Sequence, residues 1–263
     1  MTKTRSHFAV VEQESPVFPD SGVLMQDQRE GRLLQEHIRP RSGQILHDMR
    51  FEHQISPALC LSGDAVDYFK LPDGRVLAYL LDVSGHGTAA ALLSMFIKSM
   101  VRYSLAMRSD VTAAGVLSDV NEALLDAGLH KYATMLCVIF SPQQNELEWS
   151  HAGHTPRPVF WTERGARLLY GQSQPVGLFA GADYQNERLA MPERFALCMF
   201  SDGILDALPA DDFAGREALL VQLVERCAGD FSRLASALID RHPGSHPDDR
   251  SVFVISRPGH EQR

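Results

Sequence analysis

Aspartates recur where apolar runs meet polar turns: Asp64 and Asp67 in SGDAVDYF, Asp82 in LLDVSGHG, Asp202 in FALCMFSDG, and Asp248 with Asp249 in HPDDRSVFVI. Carboxylates gathered in a partly dry site repel one another strongly, and a bound cation is one of the few ways to keep them all ionised. Oxygen donors of this kind suit Mg²⁺ or Mn²⁺ better than thiolate-loving metals. Asp before Gly is also ordinary turn chemistry. The recurrence at successive strand ends, more than any one aspartate, points to a hard-metal site.

Histidines offer further chemistry. His86, in the Gly85-His86-Gly87 turn beside Asp82, is a candidate proton donor, with a structural turn residue as the alternative. His151 and His154 form an HxxH pair that could suggest zinc, but their place at a strand-to-turn segment beside Gly153 and Pro156 favours a role in shaping that turn.

The elements that must position these groups read mainly as strands. Pro72-Asp73-Gly74 is a strong turn signal inside residues 60–83, so this stretch is expected to be a hairpin that brings Asp64 opposite Asp82 across 18 residues of sequence. Residues 45–56 alternate well enough for one half-buried strand, and 133–140, 146–153, 157–161, 166–170, 187–191, 194–200 and 251–256 supply further strands. After Gly87 the chain turns helical. Ala89, Leu92, Leu93, Phe96, Met100 and Tyr103 are read as the apolar face, with Ser94, Lys98 and Arg102 opposite, and a second helix follows over 109–127. Two more helices fit 215–227 and 230–241. Antiparallel hairpins with helices inserted in pairs give the α+β class, an αββα four-layer sandwich of two mainly antiparallel sheets.

The expected organisation is a flexible leader over 1–21, a linker or regulatory helix over 22–40, the main domain over 41–257 and a tail over 258–263. The helix has Leu24, Leu34 and Ile38 near one face and is stopped by Pro40. It can dock on its own domain, or act as a coiled-coil connector to an upstream domain and pair with a second copy of the chain.

At 263 residues with 44% apolar and 22% charged content, the composition is that of a globular protein. A net charge of −8 without a basic block argues against nucleic acid as the main partner. Cys60, Cys137, Cys198 and Cys227 lie far apart without a CxxC pair and read as reduced thiols. The N-terminus has no apolar signal region, and no run approaches the ~18 apolar residues of a membrane span. The expected location is the cytoplasm, without a membrane partner.

The sequence also resembles the metal-dependent protein phosphatases of the PPM (type 2C) class, in the bacterial sporulation protein E-like branch of sigma-factor regulators. The likeness spans about residues 30–256. SGDAVDYF resembles the GGDxxD motif, LLDVSGHGTAAALL the DxSGxGxxAA segment, and HAGHTPRPVF the NAGHxPP segment. QPVGLF resembles the PLGL turn, FSDGILDAL the TDGxxEA motif, and HPDDRSVFVI the terminal DDxT motif. Ser62 replaces the first Gly of GGD, Ser201 stands where Thr is frequent, and Arg250-Ser251 replaces an apolar-Thr pair.

The resemblance implies a centre of two Mn²⁺ or Mg²⁺ ions acting on phosphoserine or phosphothreonine. Asp64, Asp82, Asp202, Asp248 and the backbone carbonyl of Val83 match its ligands, with Asp82 bridging; Asp67 is an additional candidate, and Asp249 is expected to support the ligands. The implied partner is a phosphoprotein, such as an anti-sigma-factor antagonist, under control of an upstream receiver or sensor domain. Two rivals stand beside this reading. A catalytically weak phosphatase-like module that sequesters a partner is disfavoured by retention of the aspartates, and a nucleotide cyclase, suggested by the likeness of SGDAVDYF to GGDEF, by the C-terminal aspartate motifs.

Overall fold

The computed structural model describes residues 20–241 and 246–259. Most of the expected leader, up to residue 19, and the end of the tail, from residue 260, lie outside the described residues.

Helix α1 (Ser21–Ile38) is followed by β1 (Gln44–Leu46), β2 (Met49–Ser56), and the hairpin of β3 (Ala65–Lys70) and β4 (Val76–Val83). Helices α2 (Thr88–Met107) and α3 (Ala113–Ala127) come next. Strands β5 (Ala133–Ser141), β6 (Glu146–Ala152), β7 (Val159–Thr162), β8 (Gly165–Leu168), β9 (Glu187–Ala190) and β10 (Phe195–Phe200) lead to a 3-10 turn at Asp202–Ala207. The chain closes with α4 (Phe213–Cys227), α5 (Phe231–Ala235) extended by a π turn (Ser236–Asp240), and β11 (Arg250–Arg257).

Two antiparallel sheets form, in the orders β1-β2-β11-β10-β7-β8 and β3-β4-β5-β6-β9. Their facing residues, among them Phe51, Tyr68, Leu80, Val138, Leu197 and Phe253, make the central core. The opposite face of the second sheet presents Leu77, Tyr79 and Leu81 to α2 and α3. The outer face of the first sheet presents Cys198, Phe200, Val252 and Val254 to α4 and α5. The period of two along each strand therefore feeds separate apolar layers, and the expected αββα sandwich is the observed architecture.

Three local expectations need correction. Residues 45–56 are not one strand, because His47 adopts φ 57° and folds β1 back on β2, pairing Leu46 with Met49. No Gly or Pro marks that reversal. On α2 the buried side is rotated from the expected one: Leu93 is buried and Phe96 and Met100 pack against the core as expected, but Leu92 and Tyr103 are 68% and 61% exposed, whereas Ser94, Lys98 and Ser104 are buried. The buried stripe runs Ala90, Leu93, Ser94, Ile97, Lys98, Val101, and Lys98 is admitted because Asp67 lies 3.6 Å away. Finally, α2 is long and apolar enough to cross a membrane by length and composition, contrary to expectation. Its side chains Leu93, Ile97 and Val101 instead enter the core with α3 and the sheet.

The cysteines are free; Cys137, Cys198 and Cys227 are buried and Cys60 is partly so. Helix α1 buries no residue, with Val23, Met25, Leu33 and Leu34 at 58–65% exposure. It touches the domain at particular points: Gly31 faces Leu61, and the Gln35 amide makes two bonds to the Ser62 backbone, donating to the carbonyl at 2.7 Å and accepting from N–H at 3.1 Å.

Candidate metal centre

Strand register brings the first two aspartates together. Ala65 pairs with Leu81, so the next positions, Asp64 and Asp82, stand opposite each other. Both share the parity of Val66, Tyr68 and Leu80, whose side chains face the other sheet. In that sheet Phe200 pairs with Val252, and the ladder continues through Ser201 N–H to the Ser251 carbonyl at 3.2 Å and Ser251 N–H to Ser201 Oγ at 2.8 Å. Asp202 follows this last pairing and Asp248-Asp249 precedes it. Both sheets thus deliver carboxylates to one rim.

The rim is held by hydrogen bonds that the aspartates accept. Ser251 Oγ donates to Asp64 Oδ2 at 2.5 Å. Asp249 is buried and accepts from Ala58 N–H at 2.7 Å, Ser62 Oγ at 2.9 Å and Gly63 N–H at 2.6 Å. It ties the loop before Asp64 to the strand after Asp248. His246 bridges the Asp248 carbonyl at 2.5 Å and Ser56 Oγ at 3.1 Å. Two glycines permit the close approach. A Cβ on Gly203 would stand 2.2 Å from the Asp249 carbonyl, and one on Gly63 would stand 2.9 Å from Ala90 Cβ and 3.4 Å from the Val83 carbonyl.

His154 fixes the sheets beside this rim. One ring nitrogen pairs with Thr134 Oγ1 at 3.1 Å, opposite Asp82 in the β4–β5 register, and the other with the Phe200 carbonyl at 2.9 Å, two residues before Asp202. Burial pushes its pKa down to about 4. Both nitrogens are engaged, so His154 belongs to the scaffold. His151 stacks on Trp149 and packs against Gly171, which leaves no room for a Cβ there.

The electrostatics are those of crowded carboxylates. Asp64, 2% exposed, has its pKa pushed up to about 8, first by burial and then by Asp249, with the Ser251 and Ser201 hydroxyls pulling it back. Asp82 is raised well above the ordinary range by burial, then by Asp64, Asp202, Asp248 and Asp249. Asp202 is raised by burial and then by Asp248. Among the described residues no group of three or more His, Cys, Asp or Glu side chains is placed to hold a metal ion as it stands. The oxygen donors at the rim come from separate loops, and the strongest charges acting on Asp82 are all negative. Hard-donor chemistry and uncompensated like charge both fit a divalent cation.

Asp67 is not brought to this rim. Its parity matches Ala65 and Tyr79, which face α2, and there it accepts from Arg102 Nη2 at 3.0 Å with Lys98 at 3.6 Å. The three-residue spacing from Asp64 already places it on the opposite face of the strand, a signal present in the sequence. His86 is exposed on its turn. Residues not anticipated from sequence are Ser62, Ser251, His246 and Gln35. Of these only the serines carried a sign, as departures inside the GGD and DDxT motifs.

Comparison with known proteins places the fold among relatives. Phosphoserine phosphatase RsbP of Bacillus subtilis is 25% identical over 153 residues, covering 56% of this chain and 37% of that protein. Protein IcfG of Synechocystis is 23% identical over 233 residues, covering 77% and 36%. The chain therefore spans little more than a third of the length of either relative. Among solved structures, the SiaA-PP2C domain of Pseudomonas aeruginosa superposes with a TM-score of 0.75 at 16% identity, over 90% of this chain and 97% of that one. RsbX in complex with magnesium gives 0.59 at 15% identity, over 82% and 98%. The PP2C domain of SpoIIE from Bacillus subtilis gives 0.61 at 16% identity, over 79% and 63%. The family model of stage II sporulation protein E matches residues 72–258, well over half of the sequence, and the chain belongs to that family.

Proposed function

We propose that this chain is a metal-dependent protein serine/threonine phosphatase domain. The observation that carries the reading is the convergence of Asp64, Asp82, Asp202 and Asp248 from two sheets on one rim, where burial and then neighbouring carboxylates raise the pKa values of Asp64, Asp82 and Asp202. These four carboxylates and the Val83 carbonyl are the proposed ligands of two Mn²⁺ or Mg²⁺ ions, with Asp82 between them because it senses all the others. Bound there, such ions would supply an activated water and neutralise phosphoryl oxygens. The chain's own contribution is orientation: Ser251 fixes the Asp64 carboxylate, and Asp249 fixes the loop that carries it. His86 is kept as a candidate proton donor to the serine alkoxide, on account of its exposed position on the turn after Asp82.

The proposed substrate is a phosphoserine or phosphothreonine on a bacterial signalling protein, such as an anti-sigma-factor antagonist, in the cytoplasm. RsbP is by name a phosphoserine phosphatase, which supports the substrate class. Residues 41–257 are proposed as the catalytic unit. Helix α1, with Val23, Met25, Leu33 and Leu34 exposed, is proposed as the connector to a receiver or sensor domain and as the contact of a homodimer. Retention of Asp64, Asp82, Asp202 and Asp248 favours catalysis over sequestration.

The test is hydrolysis of a phosphoserine protein and of an aryl phosphate with and without Mn²⁺, beside Asp82→Asn. The expected result is turnover that needs Mn²⁺ and is lost in the variant. Turnover that survives chelation, or ignores the substitution, refutes the reading.

A further inference from the structure

A cleft of about 420 Å³ opens directly from the carboxylate rim, with Asp202 and Asp248 in its wall. Its remaining lining includes Phe213 and Arg216 from the first turn of α4, Asp206 from the preceding 3-10 turn, and Pro247. None of these has a part in holding the carboxylates. Asp206 is the acidic position of the FSDGILDAL motif, and its partner is Arg216 Nη1 at 3.3 Å. Arg216 Nε also donates to the Ala210 carbonyl at 3.0 Å.

Two of the five guanidinium N–H groups are thus engaged, and the side chain is 33% exposed, so donors remain for a ligand in the cleft. Phe213 is 46% exposed. It is the first residue of α4, a helix whose entry is fixed by Asp212 Oδ1 accepting from Gly215 N–H at 2.7 Å. An aromatic ring and a partly satisfied arginine, both held on a rigid helix start, are the residue types that anchor polypeptide at interfaces.

We propose that this cleft docks the polypeptide flanking the phosphorylated residue, with Phe213 as its apolar anchor and Arg216, oriented by Asp206, as its polar one. The inference rests on the phosphatase reading above. A phosphoryl group that cations would hold beside Asp202 and Asp248 leaves only the chain bonded to that phosphate to fill the adjoining space. Phe213 gives a small phosphate ester nothing to recognise, whereas an apolar side chain on a peptide can pack on its ring. Arg216 can donate its free N–H groups to a backbone carbonyl or to an acidic side chain. Substrate choice would then lie in α4, apart from the groups that perform hydrolysis.

The experiment compares two probes, N-acetyl-phosphoserine amide and a decapeptide with the same phosphoserine flanked on both sides by leucine and aspartate. For each protein, kcat/KM on the decapeptide is divided by kcat/KM on the amide. This ratio is expected to fall at least tenfold in Phe213→Ala and in Arg216→Ala, and less in Arg216→Lys. In parallel, fluorescence anisotropy measures Kd for the labelled decapeptide on Asp82→Asn, with and without Phe213→Ala, and a tenfold weakening is expected. Unchanged ratios and unchanged Kd overturn the docking proposal. Weakened binding together with no Mn²⁺-dependent turnover of either probe by the unsubstituted chain supports the docking cleft and refutes the phosphatase reading alone.

Discussion

Removing one carboxylate from the rim should stabilise the metal-free protein while destroying the centre, and Asp64→Asn is the cleanest case. Asparagine keeps an oxygen to accept the 2.5 Å bond from Ser251 Oγ but carries no charge. The Asp64 pKa moves from 3.8 in an open chain to about 8 in the fold, so the folded state holds a proton that the unfolded state releases over this window. Stability attached to this group is complete below pH 3.8 and is lost as pH rises toward 8. At about 1.4 kcal/mol per unit, the 3.2 units between 3.8 and pH 7 cost about 4 kcal/mol, with the loss levelling above pH 8.

Asp64→Asn should therefore be more stable than the unsubstituted chain by up to about 4 kcal/mol in chelator at pH 7, or roughly 8–16 °C in Tm. The assay is urea unfolding in chelator at pH 5, 6, 7 and 8, where the difference should widen by up to about 1.4 kcal/mol per pH unit. Adding Mn²⁺ should raise the stability of the unsubstituted chain and narrow the gap, because a ligand that binds only the native state stabilises it. A variant that is equally stable at every pH, or destabilised, refutes the argument that burial and neighbouring carboxylates together oppose the charge on Asp64 in the metal-free fold.

Three further outcomes are expected. His154→Gln should flatten acid unfolding: the buried ring, with a pKa near 4 against 6.5 in an open chain, refuses a proton that the unfolded chain takes, so stability falls by about 3 kcal/mol as pH drops across that window, and urea midpoints at pH 6.5 and 4.5 will show whether the variant lacks this loss. Asp67→Ala should lower stability by roughly 3 kcal/mol, since it strands the buried Lys98, yet leave the Mn²⁺ concentration for half-maximal activity unchanged; a shifted activation curve would restore Asp67 to the centre. Gln35→Glu replaces the amide that donates to the Ser62 carbonyl at 2.7 Å with a carboxylate that cannot donate, so hydrogen exchange in residues 21–38 should quicken roughly tenfold, and unchanged exchange would show that the latch does not hold α1.

Local pattern made most of the fold legible. The near-continuous apolar runs of β4 and β10, the Pro72-Asp73-Gly74 turn and the helix periods were sufficient to expect two sheets and paired helices, because strands covered on both faces are apolar throughout. The failures have specific causes. His47 enters the left-handed region without a glycine, so the β1–β2 reversal left no mark. The face of α2 was misread because Lys98 counts as polar in a pattern, while in the fold Asp67 pays its desolvation and Leu92 is left outside. Asp64 and Asp82 were legible from hairpin register alone. The exclusion of Asp67 was legible too, from its parity, but was hidden by its place in a motif with two acids.

The serines that depart from the family pattern are where sequence and site meet most closely. Ser62 Oγ donates to Asp249 and accepts from Asp64 N–H at 3.1 Å, so the residue in place of glycine links both acids. Ser251, next to Arg250 in the altered terminal motif, supplies the hydroxyl on Asp64. The backbone of Ser62 is also what Gln35 holds from α1. A shift of α1 must therefore break the Gln35 bonds or drag Ser62, and dragging Ser62 strains its bonds to Asp249 and Asp64 together. Because the Asp64 carboxylate follows its own backbone, any displacement of a helix that buries no side chain would reach the rim through three residues, Gln35, Ser62 and Asp64, rather than through the core.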